Sequence, residues 1–285
     1  MTGNRRNSSS SEETVIAYEE LLKRLYPESV KGFQARRSSA PDAALAEAIT
    51  FSWLRAAHLN PRISDAPGTG GPDLLCSSEI AGEFSVEVTA LDGDALADRT
   101  GIPNQAESGG GWFSDDTLKL QSVVKRKASQ LSVSSLPRVL AICASHPASS
   151  ALLGRVGAEE LMTSPPRYTV PVDDEPAGVQ ADTDLEQSAF LRLTEAGLVA
   201  VRRSVSAILL IVIWDDGLNV MGLLHPDPAR PWEPAALPAV PFLRLEWPVR
   251  GQRLKLEWLI ADPSPAKQLH WAPRLTDEEL RRGCS

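Results

Sequence analysis

The sequence predicts an α/β protein, and three stretches carry that expectation. Residues 71–91, GPDLLCSSEIAGEFSVEVTAL, read as a β-hairpin. Residues 116–132, DTLKLQSVVKRKASQLS, place Leu120, Val123, Val124, Lys127 and Leu131 on one face at helical spacing. Residues 137–144, PRVLAICA, form the unbroken apolar run of a strand buried on both faces in a parallel sheet.

In chain order, residues 1–13 are rich in Ser and charge and predict a disordered tail. Residues 14–40 combine a helix, with Val15, Ile16, Leu21, Leu22 and Leu25 at helical spacing from Ser11 onward, and a polar, basic connector over 29–40. Pro41-Asp42 opens a second helix to about His58, with Leu45, Ile49, Trp53 and Leu54 on its buried side. Residues 60–64 suit a short edge strand, and the Gly-rich 65–71 is a loop lacking the ending of a phosphate-binding P-loop. In the hairpin, Ala81-Gly82-Glu83 makes the turn, and Phe84, Val86, Val88 and Ala90 alternate against Ser85, Glu87, Thr89 and Leu91. The Gly-rich 108–111 is a loop ahead of the next helix.

The order over 41–145 is therefore helix, three strands, helix, strand. Residues 146–285 extend that domain. A short helix is expected over 151–161, a surface loop over 165–184, and a helix over 184–203 carrying Leu185, Phe190, Leu193 and Leu198. Hairpins are expected at 205–214/218–224 and 242–249/253–260, the first widening the core sheet and the second at an edge or in a small added sheet. Trp232, Trp247, Trp258 and Trp271 read as core or partner-contact residues, with base stacking the alternative.

Composition excludes several classes. The 285 residues carry a net charge of -8, so the surface as a whole does not attract nucleic acid, and any phosphate contact must come from a local basic patch. The 3 cysteines, Cys76, Cys143 and Cys284, are scattered, against a disulfide framework or zinc knuckle and in favour of a reducing compartment. The 4 histidines have no metalloprotease spacing, and no nucleophile-elbow or dinucleotide fingerprint is present. The N-terminus lacks the apolar core of a signal peptide, and residues 205–214 are too short to span a bilayer; a cytoplasmic protein with no membrane partner is the expectation.

Alternation puts Glu87 and Thr89 on one face of their strand, and Asp73 opens the strand beside it. Two carboxylates can converge there, an oxygen donor set for a divalent cation. Pro72-Asp73 followed by Glu87-Val88-Thr89 resembles the PD-(D/E)xK nuclease superfamily. The departure is Thr89, where that motif has lysine. The resemblance covers residues 41–145. It implies a restriction-endonuclease-like αβββαβ core, a central mixed sheet flanked by helices, and Mg²⁺- or Mn²⁺-dependent hydrolysis of phosphodiester bonds in DNA. Asp73, Glu87 and the Val88 carbonyl would hold the metal. Lys127, on the following helix, would replace the missing lysine and orient the attacking water. Thr89 would be a minor polar contact, and Gln130 would hold a water or a phosphate oxygen. The first core helix of that superfamily often presents a Glu, here Glu47, with Asp42 the other candidate. The bland alternatives are a Lys127 that snorkels to solvent and a Glu47 that is a solvated helix carboxylate.

Lys119, Lys125, Arg126 and Arg138 form the one dense basic stretch without acids between them, expected to meet nucleic-acid phosphates. The acidic net charge leaves room for a second copy of the chain, or a partner protein, to deliver substrate. Bacterial restriction or defence is the common setting of such folds. The alternative function is a catalytically degenerate nuclease fold that serves as a nucleic-acid-binding or scaffold subunit, which the missing lysine favours.

Overall fold

The computed structural model describes residues 9–64, 72–100, 118–130, 135–164, 167–169, 180–182, 185, 188–214, 217–246 and 255–259. Three helices come first: α1 (Ser9–Leu25), α2 (Val30–Ser39) and α3 (Pro41–Ala56). Strand β1 (Arg62–Ile63) precedes the hairpin of β2 (Leu74–Ser78) and β3 (Gly82–Ala90). Helices α4 (Gly93–Thr100) and α5 (Leu118–Gln130) lead to β4 (Arg138–Ala144), then to α6 (Ser149–Leu152) and α7 (Arg155–Met162). Two short antiparallel pairs follow, β5 (Arg167–Thr169) with β6 (Gln180–Asp182), and β7 (Leu191–Thr194) with β8 (Gly197–Ala200). The hairpin β9 (Ala207–Trp214)–β10 (Gly217–Leu224), a 3₁₀ turn (Pro234–Ala236), β11 (Phe242–Glu246) and β12 (Lys255–Leu259) complete the order.

The main sheet has eight strands in the order β1-β2-β3-β4-β9-β10-β11-β12. It is mixed, with β3–β4, β4–β9 and β10–β11 parallel. Both expected C-terminal hairpins belong to it, the second at its far edge. Period-two alternation on the central strands divides the core. Val139, Ala141 and Cys143 of β4 and Leu209 and Ile211 of β9 face the layer that holds α1, α3 and Phe33 of α2. Leu140, Ile142 and Ala144, with Ile208, Leu210 and Val212, face α5, α6 and α7. The protein is thus a large mixed sheet between two helical layers. Among the described residues, no helix is long and apolar enough to cross a membrane.

Several expectations are corrected. Residues 9–13, expected in the tail, already belong to α1. The connector over 29–40 is helix α2: Phe33 is its one buried residue, so it shows no apolar stripe. Helix α4 was not expected, and the stretch over 151–161 divides into α6 and α7. Part of the surface loop over 165–184 pairs as β5–β6. The helix expected over 184–203 is instead the hairpin β7–β8, turned at Gly197, whose φ of +109° favours glycine. Leu193, one of the apolar residues expected on that helix, is 67% exposed. The Gly-rich loops at 65–71 and 108–111, with Trp247, Trp271, Leu131, His270 and Cys284, lie outside the described residues.

An aromatic column ties the sheet's two halves in the first layer. Trp232 meets Phe84 of β3 and Phe242 of β11, with ring centroids 5.7 and 5.4 Å apart. Phe242 fits because Gly222 of β10 has no side chain; a Cβ there would lie 2.0 Å from its ring. Gly222→Ala should therefore lower stability by about 1–3 kcal/mol through overpacking, read by urea unfolding. Gly32→Ala, in exposed helix α2 with only the Arg36 side chain 3.7 Å away, should raise it by about 0.5–1 kcal/mol.

Candidate active site

The site lies where β2 begins. The antiparallel register Leu74↔Val86, continued by one position, sets Asp73 opposite Glu87, where the β2–β3 ladder begins. Val86 belongs to the first layer's core, and alternation turns its neighbour Glu87 to the opposite face, over which α5 lies. Asp73 Oδ2 accepts a hydrogen bond of 2.7 Å from the Val88 backbone N–H. In an extended strand the N–H and C=O of one residue point to the same side. The Val88 carbonyl therefore faces that same rim, past the start of β2.

Helix α5 supplies the cation. Leu120, Val123, Val124 and Ala128 are buried against the second layer. That packing turns the Lys127 stem inward, while Lys125 and Arg126 are exposed. Lys127 Nζ donates to Glu87 Oε1 at 2.7 Å, with the side chains 19% and 12% exposed. At this burial the pair is poorly screened, and removing one partner would strand the other's charge. Lys127 thus does not snorkel to solvent.

Asp73 is the least satisfied member of the group. Burial pushes its carboxyl up to about 7, and the Glu87 and Glu47 charges add to the rise. The Val88 N–H and the Lys127 ammonium oppose it and do not prevail. Glu47 is close enough to act on Asp73, but its carboxylate is occupied. Its Oε1 accepts from the Tyr18 hydroxyl at 3.0 Å, and its Oε2 accepts from Arg36 Nε and Nη2 at 3.0 and 2.7 Å. Glu47 therefore ties α1, α2 and α3 together beside the site. Arg36 also feels the Asp73 charge.

Other candidates fall elsewhere. Asp42 accepts from the Gly93 N–H at 2.9 Å and lines a separate cleft of about 540 Å³ at the ends of β3 and β4. Thr89 is buried on the same strand as Glu87. The side chains of Lys119 and Gln130 lie outside the described residues, although their backbones belong to α5. Arg138 is corrected: it opens β4, is 8% exposed, and is no part of an exposed patch with Lys125 and Arg126. Trp232 is buried as expected of a core residue, and Trp258 is partly buried on β12. Tyr18 and Arg36 were missed. Tyr18 sits within the apolar face of α1, and Arg36 within a segment with no helical stripe to orient it. Among the described residues, no group of three or more His, Cys, Asp or Glu side chains is arranged as a metal cage.

The state of Asp73 sets a testable pH dependence. Its folded value, about 7, lies above the ordinary 3.8, so the folded chain binds more protons between those limits. Stability should fall as pH rises from about 4 to about 7, with the full penalty above that. Asp73→Asn keeps the acceptor for Val88 and removes the charge. Its Tm should exceed the wild type's by a few degrees at pH 8, and the two should converge near pH 4.

No family model, no curated protein and no solved structure matches the chain.

Proposed function

We propose that the protein is a divalent-metal-dependent nuclease that hydrolyses phosphodiester bonds in DNA. Residues 41–145 would form its restriction-endonuclease-like core. The observation that carries this reading is the 2.7 Å contact of Lys127 with Glu87, beside an Asp73 held on the neighbouring strand. The motif has Thr89 where its lysine would be, and an inward-facing lysine arrives from α5 at the acidic member of the same motif.

The donor set suits a hard cation such as Mg²⁺ or Mn²⁺: two carboxylates and a rim carbonyl, all oxygen. The raised Asp73 carboxyl fits this too, because burial, with the neighbouring acidic charges adding to it, disfavours its ionised form until a cation arrives. Asp73, Glu87 and the Val88 carbonyl would hold the ion. Such an ion lowers the pKa of bound water and offsets the charge that gathers on phosphate. The chain's own residues do the rest. Glu87 anchors the Lys127 ammonium at the rim. That ammonium can donate both to the attacking water and to a non-bridging phosphate oxygen, where negative charge grows in the transition state. Water oxygen bonds to phosphorus and gives up a proton to solvent as the bridging P–O bond breaks, and the leaving oxygen takes a proton from solvent. Glu47, fixed by Tyr18 and Arg36, keeps the α1–α3 side of the site in place.

Incubation of the purified protein with plasmid and linear DNA in Mg²⁺, Mn²⁺ or EDTA tests the reading. Cleavage in Mg²⁺ or Mn²⁺ and none in EDTA is expected. Lys127→Met and Glu87→Gln should each fold and lose about a hundredfold or more in rate. Below pH 7, where the metal must displace the Asp73 proton, metal affinity should fall by about tenfold per pH unit. Undiminished cleavage by Lys127→Met would end the reading. DNA binding without cleavage under any metal would leave the degenerate scaffold in its place.

A further inference from the structure

A second feature of α5 lies outside that site. A pocket of about 210 Å³ opens between α5 and the β7–β8 hairpin, lined by Gln121, Ser122, Lys125, Ser188, Arg192 and Arg202. Three of these are cationic and none is acidic, in a chain whose net charge is -8. We propose that this pocket is an oxyanion subsite that receives a backbone phosphate of the nucleic acid. It rests on the nuclease reading for the identity of that phosphate and on its own geometry for the anion.

Four observations support the anion. First, Arg202 is fixed rather than loose: its Nη1 donates to the Ser188 and Ala189 carbonyls, and its backbone holds a φ of +56°, uncommon for a residue with a side chain. Backbone strain of this kind persists where its surroundings impose it, and it clusters at ligand sites. Second, Arg192 is near enough to add its repulsion to the burial that weakens the Arg202 guanidinium's hold on its proton. Like charges gathered beside a partly buried guanidinium are unfavourable until an anion enters. Third, the side-chain N–H₂ of Gln121, a residue of the pocket wall, is buried without a hydrogen-bond partner. Fourth, among the described residues no carboxylate forms an ion pair with Lys125, Arg192 or Arg202. Arginine's planar fork suits phosphate oxygens, and a lysine beside it adds a mobile charge.

Lys125 and Gln121 precede Lys127 by two and six residues, about 3 and 9 Å along the helix axis and about 160° and 120° around it. A chain of phosphates held at the pocket would therefore cross α5 to reach the Lys127–Glu87 rim. Lys125 would then be a phosphate contact because of its pocket, with Arg192 and Arg202 from a distant part of the sequence completing it.

The test uses the full chain in EDTA, so that binding is read without cleavage. Anisotropy of a labelled DNA duplex and a labelled single strand is measured across a salt series. Lys125→Gln/Arg192→Gln is the test variant, since both side chains are exposed; Arg202 is left in place because it holds two carbonyls. Arg24→Gln/Lys31→Gln, exposed on α1 and α2 in the other helical layer, controls for net charge. The test variant should keep its melting temperature and bind DNA about tenfold or more weakly. Its log–log salt slope should be shallower by about two. Arg24→Gln/Lys31→Gln should retain wild-type affinity. Equal affinities and slopes for wild type and test variant would overturn the proposal. Titration with inorganic phosphate separates the sources. Phosphate bound by the wild type and lost in the test variant, with DNA affinity unchanged, would make this a free-anion pocket and overturn the backbone assignment. Failure of the nuclease reading shows separately, as absence of metal-dependent cleavage while these binding differences persist.

Discussion

Two strands buried on both faces set the terms for the rest of the molecule. Every residue of β4 is buried, and β9 is buried up to its final Trp214. Such strands need a strand on each side for their N–H and C=O groups and a helical layer over each face. The α1–α3 group covers one face and α5–α7 the other, so the alternation of a single seven-residue strand decides which helix each neighbour can meet. Polar chemistry is thereby pushed outward, to where the sheet runs out. Asp73 and Glu87 sit at such a place, since β1 is only two residues long.

The charges at this rim are unevenly balanced. Lys127 neutralises Glu87, and Arg36 neutralises Glu47, each through a short contact. Asp73 receives one backbone N–H and the remote influence of both cations. A lysine stem laid among Leu120, Val124 and Ala128 has few other places to put its head, so α5 packing and the ion pair enforce each other. The layer that makes the helix amphipathic is therefore also what aims the ammonium, and repacking of that layer would move the site.

Much of this was readable from periodicity. The β2–β3 hairpin, the fully apolar β4 and the inward face of α5 all declare themselves through regular spacing of apolar residues, and Lys127 stood out because it interrupted such a stripe. Where burial is one-sided and slight, the signal fails. Helix α2 buries only Phe33 and is joined to its neighbours by Arg36–Glu47 and Arg37–Glu19 pairs, which sequence spacing does not reveal. The β7–β8 hairpin buries Leu191 and packs Leu198 on the core but exposes Leu193 and Val199, so its apolar spacing mimics a helical period that the fold does not bury as one face. Arg138 shows a different failure: nearness in sequence to Lys125 and Arg126 is not nearness on the surface, because the chain turns into the core at β4. Arg192 and Arg202 went unnoticed for the converse reason, being brought to α5 from more than sixty positions away.

The ladder between β2 and β3 ends on a covalent fact. Ile63 pairs with Leu74, and the Ser64 N–H reaches the Asp73 carbonyl. The backbone groups of Asp73 therefore face β1, and those of Pro72 before it face β3, where the register continues to Val88. Pro72 has no N–H to give to the Val88 carbonyl, and the Val88 N–H goes to the Asp73 side chain instead. The proline of the Pro-Asp pair thus acts as a doorstop, keeping that carbonyl clear by withholding a hydrogen bond.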